Sequence, residues 1–285
     1  ALACTMLTGA AVAQDMTFFR IGTGGAGGTY FPIGGIIANA ISNPPGSRAC
    51  DEGGNCGVPG LVAMAQSTNA SAHNVNAIQN GQMEAGLSGA ATLHFAYHGT
   101  GKFEGNAKPD LRVIANLFPE DLHLVLPEGH KLDGLADLKG KRVGIAQAGS
   151  GTQIAVELIL DDHGVNRDNM DEAELNNAQS AERIADGQLD AYFDAAGTPV
   201  AAMIQLDNTK GMELHNGTAE EIKQANTTVP YYIPSTIPAG TYPGVDYDVN
   251  TVAVSGMLVP NANMAEALIS GIPKALWSDT ARTLL

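Results

Sequence analysis

The amino-acid sequence predicts an α/β protein of two lobes with similar topology and a ligand cleft between them. Two pairs of similar segments carry this prediction. Residues 20–22 (RIG), followed by TGGAGGTY, resemble residues 142–144 (RVG), followed by IAQAGSGTQ, and both patterns indicate strand, small-residue turn and helix. Residues 80–85 (NGQMEA) resemble residues 186–191 (DGQLDA), and each copy ends a helix at glycine and begins a strand. Because both pairs keep the same order, the simplest explanation is two similar α/β units.

The first unit begins with a strand and reaches its helix through a glycine-rich turn. The strand is predicted at Met16–Ile21, and the helix begins about Tyr30, where an apolar run with helical spacing starts. Residues 66–71 (QSTNAS) open a second helix that ends near Asn80. The next strand is predicted at Ala85–Ser88, directly after the glycine that ends this helix.

The middle of the chain predicts two consecutive strands and the crossing between the lobes. Leu111–Phe118 and Leu122–Leu126 are apolar runs separated by residues 119–121 (PED). Proline is unfavourable inside a strand, so we predict a break there and place the crossing near Pro119. Residues 132–138 supply a short helix before the second unit begins.

The second unit is predicted from the same kinds of signal. Residues 153–163 form an amphipathic helix that Gly164 stops, and Ala191–Asp194 form a strand. Val229–Pro243 is rich in Pro, Tyr and Gly, which favours an irregular loop over a cleft. Val249–Pro260 alternates like a strand that pairs with the earlier 122–126 strand and returns the chain to lobe I. We therefore expect lobe I at 14–117 plus 260–285 and lobe II at 118–259.

Composition excludes some classes of partner. The 285 residues are 44% hydrophobic, enough for sizeable cores, and the net charge is −15. Such a surface repels nucleic-acid phosphates and anionic lipid headgroups, so we expect no nucleic-acid or membrane-surface binding. An anionic ligand is still compatible, because local donors in a closed cleft outweigh a distant, screened surface charge.

The beginning of the chain indicates export. Residues 1–13 (ALACTMLTGAAVA) carry no charge and end in the small-residue pattern Ala11-Val12-Ala13. This pattern is typical of the apolar region and cleavage site of a secretory signal peptide. We expect a signal-peptide remnant at 1–13, cleavage near Ala13 and a periplasmic mature protein. A lipoprotein attachment at Cys4 is the alternative, although Ala1 fits that motif poorly.

Two cysteines outside this segment agree with export. Cys50 and Cys56 flank the polar loop DEGGN, with no further cysteine or histidine close in sequence. In an oxidising compartment this pattern favours one local disulfide. A zinc site is the weaker alternative, because zinc needs about four ligands.

The glycine-rich stretch Ile21–Gly35 is the first candidate ligand loop. Glycines allow backbone N–H groups to approach a ligand, and the helix that follows adds unpaired donors. We assign its candidate ligand contacts to four residues: Gly25, Gly28, Thr29 and Tyr30. A purely structural turn is one alternative. The other is a dinucleotide-binding enzyme, since GTGGAG satisfies GxGxxG, but the acidic residue expected about twenty positions on falls in the cysteine loop.

Polar residues elsewhere complete the predicted cleft. The second-unit loop offers Ser150, Gly151 and Thr152, which either cap their own helix or bind a ligand from lobe II. Asp194 and Gly197 lie at or after the carboxyl end of a strand, where Asp194 either pairs with a ligand ammonium or is solvated. The polar helix start supplies the remaining candidates, for which helix caps are again the alternative: Ser67, Thr68, Asn69 and Asn74.

Nothing in the sequence assembles a catalytic or metal centre. His94 and His98 have the i, i+4 spacing of a metal pair but lack a third ligand in view, which favours packing or surface roles. No nucleophile, base and orienting group occur together, and residue 148 is Ala, so GxSxG is absent. None of the seven arginines falls in the predicted ligand loops, so no bidentate arginine clamp is expected. We expect no catalysis, cofactor or metal.

Together these segments resemble the TAXI-type solute-binding proteins of tripartite ATP-independent periplasmic (TRAP) transporters. The resemblance implies a two-lobed fold like the type II periplasmic binding proteins. It also implies delivery of a small carboxylate, notably glutamate, glutamine or a related acid, to an ion-driven membrane permease. We expect a monomer. The matching segments follow the family's order: GTGGAGGTYFPIGG, the cysteine loop with QSTNASAHNVNAIQNGQMEAG, NLFPEDLHLVLP, LADLKGKRVGIAQAGSGT, ADGQLDAYFDAAGTP and YYIPSTIPAGTYPG.

The resemblance points to the loops already chosen, and two departures limit what it implies. Where the family usually has a polar run such as Gln-Ser-Asp, this chain has residues 89–91 (GAA), so fewer side chains face the cleft. Ligand identity is therefore less transferable than fold. Relatives also continue by a few helical turns where this sequence stops, at Leu285.

Overall fold

The computed structural model describes residues 16–283. The predicted signal-peptide remnant and Cys4 lie outside the described residues. The strands are β1 (Thr17–Gly22), β2 (Ser42–Asn43), β3 (Val58–Pro59), β4 (Leu61–Gln66), β5 (Ala85–Gly89), β6 (Ala115–Pro127), β7 (Arg142–Gly144), β8 (Asp171–Ala173), β9 (Ala191–Ala196), β10 (Met212–Leu214), β11 (Ile233–Ile237) and β12 (Val249–Pro260). The helices are α1 (Tyr30–Ile41), α2 (Ser71–Gln79), α3 (Ala90–His98), α4 (Gly151–Asp162), α5 (Asn177–Ala185), α6 (Ala201–Lys210), α7 (Ala219–Thr228), α8 (Glu266–Leu276) and α9 (Asp279–Arg282).

The main sheet contains two parallel three-stranded units with the same order. Its path is β4-β1-β5-β12-β6-β9-β7-β8, and β10 and β11 pair with β6 and β12 off this path. In the first unit β1 lies between β4 and β5, and in the second β7 lies between β8 and β9, with parallel pairing throughout. Each unit therefore places its first strand in the middle, which confirms an α/β fold built from two similar units.

Two equivalent ion pairs explain the similar segments of the sequence. Arg20 of β1 binds Glu84 through Nε (3.0 Å), Nη2 (2.7 Å) and its backbone N–H (2.6 Å). Arg142 of β7 binds Asp190 through the same three groups, at 3.1, 2.7 and 2.8 Å. In each unit the pair joins the central strand to the turn before the third strand. The same ion pair therefore occurs once in each unit. It explains why residues 20–22 and 80–85 resemble residues 142–144 and 186–191.

The two central strands run continuously between the units. The structure contradicts the predicted break at residues 119–121, because β6 continues from Ala115 to Pro127. Pro119 pairs with Ser255 of β12 beside a β-bulge, and pairing of β6 with β9 begins only at Asp121. The missing proline N–H therefore falls where β6 has no second ladder. The 111–114 part of the predicted first strand is not strand; Leu111 makes only an isolated bridge.

Other boundaries also differ from the sequence predictions. Strand β12 matches its predicted bounds, but it pairs with residues 115–121 of β6, and the predicted partner segment 122–126 pairs with β9 and β10. The predicted irregular loop Val229–Pro243 contains β11, which tolerates Pro234 because it is an edge strand that pairs with β12 alone. The short helix predicted at 132–138 is a 3₁₀ turn, Leu135–Leu138.

Apolar clusters fill both sides of the sheet. One cluster joins β1, β5 and α1 through residues such as Phe19, Ile21 and Ile37, and a larger one joins β6, β7, β9 and α4. Cys50 and Cys56 form the predicted disulfide. Within residues 16–283, no helix has the length and apolar character that a membrane crossing requires.

Candidate functional site

A cavity lies where the carboxyl ends of the parallel strands of both units meet. The space open to the centre of a water-sized molecule is about 60 Å³, room for a few waters or a small polar solute. The loops after β1 and β7, the junction of β5 with α3 and the last residues of β9 contribute to its wall, as the carboxyl-end rule for open α/β sheets leads one to expect. Eight of the predicted ligand residues line it: Gly25, Gly28, Thr29, Tyr30, Ser150, Gly151, Thr152 and Asp194.

Five helices begin at this cavity. The lining includes Tyr30 of α1, Ser71 of α2, Thr92 of α3, Gly151 of α4 and Asn177 of α5, each in the first turn of its helix. Helix starts carry unpaired N–H groups and a partial positive charge. These helix starts therefore favour an anionic group of a ligand. Among the described residues that line the cavity, none is Lys, Arg or His.

Hydrogen bonds join opposite walls of the cavity. The Thr29 hydroxyl donates to the carbonyl oxygen of Gly197 at 2.8 Å. The carbonyl oxygen of Gly149 accepts from the backbone N–H groups of Ala72 (3.0 Å) and His73 (3.1 Å) at the start of α2. Each contact links the first unit to the second, so the structure holds the two units close around the cavity.

Two acidic side chains are buried in the cavity wall. Glu120 of β6 is 3% exposed and Asp194 of β9 is 5% exposed. Burial raises the pKa of Glu120 to about 8; the nearby Tyr30 hydroxyl opposes this rise, and the charge of Asp194 adds to it. Burial also raises the pKa of Asp194 to about 7, against a hydrogen bond from the amide of Asn177. The solvated reading of Asp194 is therefore wrong.

Tyrosines surround these acids. The Tyr30 hydroxyl lies 3.4 Å from Ser71 Oγ, and its ring meets Phe118 edge-on at 6.4 Å between ring centroids. Burial, followed by the charges of Glu120 and Asp194, raises the pKa of Tyr232 well above its ordinary range. Burial also raises the pKa of Tyr30, so both phenols are neutral hydrogen-bonding groups at physiological pH.

The family of the chain follows from a match over nearly its full length. The model of the NMT1-like family matches residues 21–284. The chain belongs to the NMT1-like family. This match covers every loop around the cavity and both parallel units except residues 17–20 of β1.

Solved structures with this fold include several solute-binding proteins. An ancestral arginine-binding protein bound to arginine is 15% identical, with 94% of this chain and 96% of that chain covered and a TM-score of 0.55. The substrate-binding protein of an amino acid ABC transporter is 14% identical over 94% and 97% of the two chains, with a TM-score of 0.53. A mutant of ArgBP from T. maritima is 10% identical over 94% and 93%, also at 0.53. At these identities the similarity establishes the fold, that of periplasmic binding proteins.

The other predicted ligand residues of this NMT1-like protein do not line the cavity. Asn74 is fully buried, and its amide donates to the carbonyl oxygens of Thr23 and Leu87, both at 2.8 Å. The Thr68 hydroxyl lies 2.7 Å from Asn74 Oδ1, and Ser67 Oγ donates to the carbonyl oxygen of Gly24 at 3.0 Å. These side chains hold the glycine-rich loop in place. Two predicted residues remain, Asn69, which is exposed, and Gly197, which accepts the Thr29 bond.

Helix capping accounts for part of the second loop. Ser150 is the N-cap of α4, and its hydroxyl accepts from the Gln153 N–H at 3.1 Å. The Thr152 hydroxyl accepts from the Ala195 N–H at 3.1 Å, which fixes β9 against α4. Capping and lining the cavity are compatible, since both residues also form its wall. Ligand contact by the predicted residues stays a prediction.

Several wall residues were missed by the sequence analysis. The sequence predicts a break between strands at Glu120, whereas in the structure β6 runs through Pro119 and Glu120 is buried. Tyr232 lies in the segment predicted to be an irregular loop. The remaining polar wall residues have no periodic signal or fit a helix cap or turn in the sequence: Ser71, Thr92, Gln147 and Asn177.

The histidine pair of α3 lies away from this cavity. The rings of His94 and His98 are 4.6 Å apart between centroids, and His94 also meets the exposed Tyr231 edge-on at 5.5 Å. Among residues 16–283, no group of three or more His, Cys, Asp or Glu side chains is arranged to hold a metal ion. The pair is therefore part of an aromatic surface cluster.

Proposed function

We propose that this protein is an extracytoplasmic solute receptor of a TRAP transporter. It binds a small carboxylate or amino acid, of the glutamate or glutamine kind, and delivers it to a membrane permease. The observation that carries the proposal is the cavity between two equivalent turns that lead into α1 and α4, Gly25–Tyr30 and Ser150–Thr152. Proteins with this fold include one bound to arginine and one from an amino acid transporter. The assignment to TRAP rather than another transporter rests on the resemblance of the sequence segments.

The fold suggests how a solute would be enclosed. Lobe I at 14–117 plus 260–285 and lobe II at 118–259 would rotate about β6 and β12, the strands between the two parallel units. Closure would bring the N-termini of α1 and α4 to a ligand carboxylate from opposite sides. Backbone N–H groups at helix starts are established anion donors, so no arginine clamp is required.

A dinucleotide-binding enzyme is not favoured. In a dinucleotide fold the acidic residue that binds the ribose ends the second parallel strand. In this protein β4 is the parallel neighbour of β1 that corresponds to this second strand, and it ends at Gln66, which is not acidic. The turn that follows β1 is instead held by Ser67, Thr68 and Asn74 of the next segment.

A thermal-unfolding panel tests the receptor proposal. Amino acids, mono- and dicarboxylic acids and NAD would each be added to the purified protein, and hits measured by titration calorimetry. A ligand at about 100 times its Kd adds about 2.7 kcal/mol, or roughly 5 to 10 °C for a chain of this size. Stabilisation by NAD alone would contradict the proposal.

A matched pair of variants locates the site. Ala91→Leu fills the cavity from the start of α3, whereas Ala267→Leu adds the same atoms at an exposed position of α8. We expect the first to abolish the ligand-induced shift and the second to leave it unchanged. Once a solute is known, its uptake into vesicles that hold a TRAP permease tests the transporter class. Dependence on ATP instead of an ion gradient would contradict it.

A further inference from the structure

The polar centre of the cavity is acidic. Glu120 and Asp194 come from neighbouring strands of the sheet, β6 and β9, and both line the cavity. The described lining offers no cationic side chain to neutralise them. Burying two carboxyl groups without a cation is unfavourable unless something else satisfies them.

Other partly or fully buried acids of the fold are well partnered. Glu84 and Asp190 each receive three hydrogen bonds from an arginine. Glu221 accepts from the backbone of Leu135 and Thr218 and pairs with His215. These acids have structural roles that explain their burial.

Glu120 is different, because one of its oxygens has no partner. Its Oε1 is buried and makes no hydrogen bond with any atom of the described residues. Asp194 has a single side-chain partner, the Asn177 amide, which contacts Oδ2. An unsatisfied buried oxygen costs about 1–3 kcal/mol, so a structural role alone does not account for the pair. A ligand that donates hydrogen bonds would.

We propose that the solute carries a protonated amine and that Glu120 and Asp194 bind this ammonium group. The inference deepens the proposed function and rests on it. An ammonium has three donors and a positive charge, which suits two acids on neighbouring strands. The helix N-termini then hold a single carboxylate. A second carboxylate would face the acids without a counter-cation. Within the proposed glutamate or glutamine kind, the inference therefore favours glutamine over glutamate, and the substrate class is a small amine or an amino acid with at most one free carboxylate.

A competing arrangement is that Glu120 and Asp194 act as protonated acids and bind a carboxylate instead of an ammonium group. If both stay protonated, they donate hydrogen bonds to a ligand carboxylate, and an amine is not needed. The two arrangements differ in proton linkage. An ammonium binds ionised acids and displaces their protons, so its affinity rises with pH through the pKa values of about 7 and 8. A carboxylate held by protonated acids loses affinity over the same interval.

Matched ligand pairs give the direct test. Two pairs of ligands are compared: alanine with lactate, and glutamine with its 2-hydroxy analogue. In each pair a hydroxyl replaces the α-amine. Glutamate and 2-oxoglutarate are tested as dicarboxylates. Calorimetry at about pH 6 and pH 8 in two buffers of different ionisation enthalpy reports affinity and protons exchanged. We expect the neutral amino acids to bind at least tenfold more tightly than the matched hydroxy acids and than the dicarboxylates, with proton release. Equal affinity within the pairs, or proton uptake, would overturn the inference.

Variants assign the effect to the acids. Glu120→Gln and Asp194→Asn keep the shape but remove the charge, and each should weaken amine binding about tenfold or more and flatten its pH dependence. Glu182→Gln, at an exposed position of α5, is the matched control. Thermal melts confirm that each variant folds. If amine affinity is unchanged in both variants, the inference is wrong while the receptor proposal stands; if no compound binds the wild type, both are wrong.

Discussion

The Thr29 hydroxyl donates a 2.8 Å hydrogen bond to the carbonyl oxygen of Gly197, and this contact joins two walls of the cavity that are 168 positions apart in sequence. The approach is close because residue 197 has no side chain. A Cβ at Gly197 would lie 2.9 Å from Thr29 Cγ2 and 2.9 Å from Phe118 Cδ2. The contact therefore depends on the two units lying in the arrangement seen here.

Thr29→Val should weaken ligand binding. The substitution keeps the shape of the side chain but removes the donor, and one hydrogen bond contributes about 0.5–1.5 kcal/mol. We expect a three- to tenfold rise in Kd, mainly through faster dissociation, measured by stopped-flow or surface plasmon resonance. Thr29→Ser keeps the donor and serves as the control. Equal dissociation rates in the two variants would show that this hydrogen bond does not hold the two walls together around the ligand.

Gly151→Ala should impede closure from the other side. A Cβ there would lie 2.8 Å from Ser71 Oγ and 2.9 Å from Thr92 Oγ1, both on the first unit. We expect at least a tenfold loss of affinity, together with a larger radius of gyration in solution scattering at saturating ligand. Gly35→Ala is the matched control, because its added methyl meets nothing within 4 Å. Normal affinity in Gly151→Ala would show that the units do not close as proposed.

Asn74→Ala separates a structural role from a ligand role. Its amide holds the carbonyl oxygens of Thr23 and Leu87 in a fully buried position. Leaving these groups unpaired should lower the free energy of unfolding by roughly 2–4 kcal/mol, measured by urea denaturation. Asn76→Ala, which loses only a bond within its own helix, should cost less than 1 kcal/mol. If Asn74→Ala instead kept full stability and lost binding, the ligand role would be correct.

Much of the fold could be predicted because its signals are local and repeated. The ion pairs Arg20–Glu84 and Arg142–Asp190 require an arginine and an acidic residue at equivalent positions of both units. The sequence therefore shows the duplication directly. The pairing of strands between the two units is harder to predict from the sequence. Whether Pro119 interrupts a strand depends on which side of β6 has a neighbour at that position, and this is set by β9, more than seventy residues away.

The cavity was predicted in part, for a related reason. Glycine-rich turns before helices are readable from sequence, and this identified the walls near Tyr30 and Ser150. Glu120 carried no such signal, because a charged residue after proline also suits an exposed turn. Asn74 and Thr68 were chosen for their polarity, yet their partners are backbone carbonyls of β1 and β5, which no local pattern specifies.

Removing the Cys50–Cys56 disulfide should destabilise the protein without changing its ligand affinity. The bond closes a loop with a sequence separation of 6, for which loop-closure entropy gives about 2 kcal/mol. We expect the double Cys→Ser variant to melt roughly 4–8 °C lower, measured by calorimetry. Neither cysteine lines the cavity, so titration with the identified solute should give the wild-type Kd. A change in Kd would connect this loop to the site.

Raising the pH should destabilise the empty wild-type protein relative to Glu120→Gln. The pKa of Glu120 is raised on folding, mainly by burial, from its ordinary value of 4.5 to about 8. The folded state therefore binds more protons, and the stability from this group is complete below about pH 4.5 and is lost as pH rises through 8. Urea denaturation of both proteins from about pH 5 to 8.5 measures the difference. We expect the wild type to lose up to about 1.4 kcal/mol per pH unit relative to the variant. Parallel curves would show that Glu120 ionises in the folded protein as it does in the unfolded chain.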